Sequence, residues 1–156
     1  MLRLRSLIAL CCYLLINMVV AFFSSNYEPG VWYASLQKPS FNPPNWIFAP
    51  VWAVLYLMIA LAGWRIWLKK GMTGDGRQLQ LLYFGQLALN GFWSMLFFGF
   101  QLPALAFVEI VILWFLVLEA TKQFWNVDKL AGALFIPYLC WIGFAALLNF
   151  SLWQMN

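Results

Sequence analysis

Five long apolar stretches, at about 6–25, 45–68, 79–100, 104–124 and 130–153, are separated by one long connector, Asn26 to Pro44, and three short breaks. At about 1.5 Å of helical rise per residue, each can cross a hydrocarbon core of about 30 Å. The chain is 65% hydrophobic and only 9% charged. A soluble domain is nearer half apolar and about a quarter charged, because its surface must face water. The reading is therefore an all-α integral membrane protein, a five-transmembrane-helix bundle, forming a single domain over residues 1–156. A cleaved signal peptide is the alternative for the first stretch. That stretch exceeds a usual signal core, and no small-x-small site precedes Ser24.

Five spans put the two ends of the chain on opposite sides, and the basic residues orient them. Arg3, Arg5, Arg65, Lys69, Lys70, Arg77, Lys122 and Lys129 fall on one side, and only Lys38 on the other. The bias of Lys and Arg toward cytoplasmic connectors puts the N-terminus and KKGMTGDGR inside and the C-terminus outside. A bacterial inner membrane fits best, with a mitochondrial outer membrane as the alternative. The net charge of +4 is accounted for by these connectors and does not point to nucleic acid.

The segment Trp32–Tyr56, WYASLQKPSFNPPNWIFAPVWAVLY, is unlike the rest. It carries Pro39, Pro43, Pro44 and Pro50 and three tryptophans, Trp32, Trp46 and Trp52. Proline fixes φ and drives the preceding residue out of the α region. Lys38 to Asn45 should be a stiff non-helical ribbon on the outer surface. Pro50 should kink the entry of the second span, which begins near Asn45.

Much chemistry is excluded. The chain has no histidine, which removes imidazole bases, His-ligated haem and most zinc sites. Cys11, Cys12 and Cys140 lie in apolar runs without metal-type spacing and read as small buried hydrophobes. Glu109 either snorkels outward or faces the bundle interior, and Glu119 reads as a helix ion pair with Lys122. No nucleophile and base are paired, and no metal site is expected.

The polar side chains of the spans are patterned. Tyr13 and Asn17 share one face of the first span, which should look inward, since an amide facing lipid is costly. Trp52 and Tyr56 share a face of the second span. Gln86, Asn90, Trp93 and Phe97 share one on the third, and Tyr138, Trp141, Ala145 and Asn149 one on the fifth. Three aromatic-and-amide stripes either pack through interhelical hydrogen bonds or wall a cavity suited to a flat, mostly apolar ligand. Pro137, in the middle of the fifth span, should bend it and free a carbonyl. Trp32, Trp46, Trp64, Trp67, Trp125 and Trp153 fall near the membrane boundaries, where an aromatic belt is the simpler account.

WY, KP, NPPNW and PVWAVLY in order, then QLALNGFWSMLFFG (86–99) and PYLCWIGFAALLN (137–149), resemble the three signatures of the translocator protein family. Its bacterial members are the tryptophan-rich sensory proteins, and its mammalian ones the peripheral benzodiazepine receptor. The likeness covers essentially the whole chain. It implies a five-helix bundle, commonly a homodimer, with a ligand pocket under the loop between the first two spans. The family binds porphyrins and, in animals, cholesterol and synthetic ligands. Positions matching its pocket are Trp32, Trp46, Trp52, Tyr56, Asn90, Trp93, Tyr138, Trp141 and Ala145. The Tyr and the Lys or Arg of the family's cholesterol motif are missing from residues 149–154. Where some bacterial relatives carry an acid and a tryptophan in the lid, this chain has Ala34 and Ser40.

The functional expectation is a non-enzymatic receptor or sensor for porphyrins and related flat hydrophobic molecules. It needs no cofactor, and its partners are the ligand, the bilayer and a second copy. Lys38, the only outer-side cation, is the candidate partner of a propionate. The alternatives are a light- and oxygen-dependent porphyrin-degrading enzyme, with Trp52 and Trp141 as relays, and a tetrapyrrole or lipid transporter.

Overall fold

The computed structural model describes residues 2–27 and 29–156. Five helices are long and apolar enough to cross a membrane: α1 (Leu2–Ser25), α3 (Phe48–Lys70), α4 (Asp75–Ser94), α5 (Pro103–Val127) and α6 (Lys129–Met155). A short helix, α2 (Val31–Ser35), lies in the connector after α1. No strand occurs among the described residues. The five-helix membrane architecture stands as expected.

The long helices close into a ring in the order α1, α3, α6, α5, α4, and α3 also touches α4 across the middle. The most extensive pairing is α5 with α6. Inside the ring the helices meet through Ile59, Ala60, Tyr83, Leu113, Val117, Phe135 and Tyr138, all at most 1% exposed. Outward-facing Leu, Ile, Val and Phe remain exposed on every span, as expected of surfaces whose solvent is lipid.

The breaks follow local chemistry. Gly71 ends α3 at φ 69°, and its N–H donates to the Trp67 carbonyl at 2.8 Å. A left-handed residue there favours glycine. Pro103 opens α5 in the first turn, where its missing N–H costs nothing. Asp128 caps α6, its Oδ1 accepting from the Ala131 N–H at 3.0 Å. The third span starts earlier than the hydropathy suggested, at Asp75, because Gly74 at φ 58° turns the loop directly into the helix.

Three expectations change, and one left open is settled. The second span opens as a 3-10 turn, Asn45–Ile47, and becomes α-helical at Phe48. Pro50 therefore sits in the first α-helical turn, where the N–H groups lack intrahelical partners, and no donor is lost. Cys11, Cys12 and Cys140 are exposed on the lipid-facing surface rather than buried. Glu119 accepts from Gln123 Nε2 at 2.8 Å, one helical turn on, in place of a Lys122 pair. Glu109 resolves to the interior: it is buried, and neither carboxyl oxygen has a partner.

At the basic end, Arg65 grips Asp128 with two bonds, Nε to Oδ1 at 3.1 Å and Nη2 to Oδ2 at 2.7 Å. This ties α3 to the α5–α6 turn. The guanidinium hydrogen bond chiefly holds the Asp128 carboxyl below its ordinary range, with burial opposing. The sign follows by linkage. A depressed folded-state pKa contributes stability above the unfolded value, about 3.9 for Asp, and that stability is lost as pH falls through the folded value. Thermal unfolding in detergent should therefore weaken below about pH 4 in the wild type. Asp128→Asn should flatten that slope. An equal acid slope in both proteins would remove this pair from the account.

Candidate functional site

The three stripes meet in the half of the bundle away from the basic end. Tyr56 on α3 donates its hydroxyl to Asn90 Oδ1 on α4 at 2.6 Å. Asn90 Nδ2 donates to the Tyr138 hydroxyl on α6 at 3.0 Å, which donates to Gln86 Oε1 at 2.8 Å. A turn further out, Trp93 Nε1 donates to Asn149 Oδ1 at 3.1 Å, and Asn149 Nδ2 donates to the Pro103 carbonyl at 2.8 Å. The interior is apolar, so each amide satisfies the polar tip of an aromatic from another helix.

Aromatic rings surround this cluster. Trp52 tilts against Tyr56 at 5.4 Å between centroids and meets Tyr138 edge-on at 6.3 Å. Trp141, one turn beyond Tyr138, packs edge-on against Phe48 at 6.0 Å. The Trp141 indole N–H is buried without a partner, as is Gln86 Nε2. Ala145 is half-buried in the next turn of α6 and packs against the main core.

The connector covers this end. A single π-helical turn, Met95–Gly99, ends the third span, closed by the Phe100 N–H donating to the Met95 carbonyl at 2.8 Å. Such turns recur at functional sites. Tyr33 meets Phe98 at 5.5 Å and Phe97 at 6.3 Å, and Trp32 meets Phe97 at 5.6 Å. Phe97 stacks on Trp93 at 5.2 Å, which joins the cap to the polar cluster. Burial raises the Tyr33 hydroxyl's pKa, opposed by its hydrogen bond to Asn42 Oδ1 at 3.0 Å. Gln37 exchanges two bonds with the Asn156 side chain, at 2.8 and 3.1 Å.

The expected residues separate into two groups. Tyr56, Asn90 and Tyr138 lie in the hydrogen-bonded cluster, Trp93 in the separate pair with Asn149 one turn away, Trp52 and Trp141 beside them, and Trp32 in the cap. Trp46 is 73% exposed and stands away from the cluster. Lys38 turns back on its own connector, donating to the carbonyls of Ala34 (3.2 Å) and Leu36 (3.1 Å), 4.8 Å from the Tyr33 ring centroid. Gln86 and Asn149 emerge as partners of the expected residues, and both were legible in the stripes.

Open space lies on the flanks. A groove of about 680 Å³ runs between α3 and α6, and another of about 360 Å³ between α5 and α6. A second polar network fills the other half of the bundle. There Tyr13 donates to Gln80 Oε1 at 2.5 Å and Asn17 Nδ2 to the Tyr83 hydroxyl at 2.6 Å, so the inward face of α1 is as expected.

Comparison with known proteins matches residues 7–154 to the TspO/MBR family. The chain is 40% identical to the tryptophan-rich protein TspO of Chlorobaculum tepidum, over 96% of this chain and 95% of that one. It is 41% identical to the translocator protein of Ovis aries, over 86% and 82% of the two chains. It is 37% identical to the tryptophan-rich sensory protein of Cereibacter sphaeroides, over 83% and 79%. A match spanning nearly every residue, on a five-helix bundle in which Trp52, Trp93, Trp141, Asn90 and Asn149 gather in the half covered by the proline-rich connector, makes this chain a member of the TspO/MBR family.

Proposed function

We propose that this receptor-type membrane protein binds porphyrins and related flat hydrophobic molecules among α3, α4 and α6, beneath the connector. One observation carries the reading: side chains from three helices converge on a single cluster of aromatic faces and amides. Stacking on Trp52, Trp93 and Trp141 would supply apolar area. The unpartnered Trp141 and Gln86 N–H groups would supply donors to a ligand's acceptors. Lys38, bonded to two carbonyls, would have to release them to reach a propionate. No catalytic step is assigned. Eight of the nine basic residues favour a cytoplasmic basic end in a bacterial inner membrane, and the family likeness favours a homodimer.

The test is a titration of protoporphyrin into purified protein, following tryptophan fluorescence in the dark and then under light. Saturable dark quenching with a stable spectrum is expected. A new absorbing product under light that disappears in Trp141→Phe would favour the degrading enzyme. The absence of dark quenching would remove the porphyrin reading.

Ala145→Phe adds a ring one turn above Trp141. It should weaken quenching about tenfold or more, a loss of about 1.4 kcal/mol. The unfolding temperature should change little, because Ala145 is only half-buried. Unchanged affinity would place the ligand elsewhere.

A further inference from the structure

The groove between α3 and α6 differs from the one on the α5–α6 flank in what lies behind it. Its sides are Pro50, Val54 and Met58 on α3 and Pro137, Cys140 and Phe144 on α6. Val54, Pro137 and Cys140 are exposed, so the groove opens to hydrocarbon within the spans. Trp141 also lines it. The same indole packs on Phe48 near the cap and sits one turn from Tyr138, the hydroxyl at the centre of the polar cluster. On α3, Val51 and Leu55 line the groove, while their neighbours Trp52 and Tyr56 flank and join the cluster. One layer of side chains thus separates the lipid-facing groove from the candidate site. Within that layer, the Trp141 N–H is a buried donor with no acceptor.

The aqueous approach is held more firmly. Trp32 and Tyr33 lie on Phe97, Phe41 meets Phe144 at 6.3 Å, and Gln37 is clasped by Asn156. A molecule approaching from water must loosen several of these contacts. One already dissolved in the bilayer meets a groove of about 680 Å³ backed by Val51 and Leu55 of α3 and by Trp141, whose indole can turn about two rotatable bonds.

Building on the ligand reading above, we infer that ligands enter the bundle laterally from the hydrocarbon through the α3–α6 groove, with Trp141 as the side chain that turns aside. The groove would admit flat, mostly apolar molecules carrying a hydrogen-bond acceptor that the indole N–H can meet on the way in. Molecules with charged groups on both edges would be excluded, because one edge would have to cross hydrocarbon.

Cys140 supplies a native handle. In a Cys11→Ser, Cys12→Ser background, both changes lie on the exposed face of α1, away from the groove. The protein is labelled at Cys140 with a bulky maleimide while in detergent and then reconstituted into nanodiscs, and the rate of dark tryptophan quenching by protoporphyrin is followed. The expected result is association slowed about tenfold, or about 1.4 kcal/mol on the barrier, with equilibrium amplitude and Kd unchanged. Met58→Trp should slow entry in the same way without chemical modification. Unchanged rates in both proteins would overturn the lateral route. Weakened equilibrium binding with an unchanged rate would make the groove the resting place and also overturn it. Unmodified protein that never quenches would fail the ligand reading itself, and the route with it.

Discussion

Gly63→Leu is expected to be among the most damaging single substitutions in the bundle, costing about 3 kcal/mol. Gly63 lies on α3 where α1 and α4 close in. A Cβ there would overlap the Tyr83 ring and come within 2.8 Å of Tyr13 Cε1. Neither ring moves cheaply, because Tyr83 accepts from Asn17 and Tyr13 donates to Gln80. Overpacking costs about 1–3 kcal/mol, and each interhelical bond lost in a membrane adds about 0.6 kcal/mol. Gly63→Ala should already incur much of the loss, since the first carbon is the one that collides. Gly85 on α4 is the control: its added Cβ would meet nothing closer than Leu116 at 3.6 Å. Gly85→Ala should be neutral or stabilising by up to about 1 kcal/mol, because alanine is the better helix former. The measurement is the thermal unfolding midpoint in one detergent. Equal midpoints for Gly63→Ala and Gly85→Ala would show that the close approach at Gly63 has no energetic weight.

The helices were legible because hydropathy and length report directly on the bilayer, and the inward stripes because a 3.6-residue period identifies a shared face. Three features were harder to read. Gly63 was invisible because it sits in an apolar run, and only the rings of two other helices make its missing side chain matter. The Arg65–Asp128 pair joins residues far apart in the chain, so spacing could not reveal it. An aspartate immediately before a helical run did, however, carry a capping signal. The π turn at Met95–Gly99 has no residue signature of its own. It arises where Phe97 and Phe98 both turn toward Tyr33, a demand that exists only once the connector has folded back. The exposed cysteines follow from the same limitation. An apolar run says that a residue avoids water, and in a membrane that does not distinguish the core from the lipid.

Asn90→Leu should separate what the polar cluster does for stability from what it does for a ligand. Asn90 is the side chain that links the hydroxyls of α3 and α6, accepting from Tyr56 and donating to Tyr138. Its removal leaves the Tyr56 hydroxyl without its acceptor. Tyr138 keeps the bond it donates to Gln86. Burying an unsatisfied hydroxyl costs about 1–3 kcal/mol, and measured interhelical bonds in membranes average about 0.6 kcal/mol, with a maximum of about 1.7. A loss of about 1–2 kcal/mol is therefore expected, less than for Gly63→Leu. The effect on protoporphyrin quenching should be of similar size, about tenfold or about 1.4 kcal/mol, because the amide orients Tyr56 and Tyr138, the two hydroxyls beside Trp52. Adding Tyr56→Phe to Asn90→Leu distinguishes the two roles. If the stability loss comes from the orphaned hydroxyl, removing it should restore most of the unfolding midpoint, since deleting both partners is close to neutral. Ligand quenching should stay weak in the double variant, because neither the amide nor the hydroxyl returns. Binding that recovers together with stability would mean that Asn90 acts on the ligand only by holding the fold.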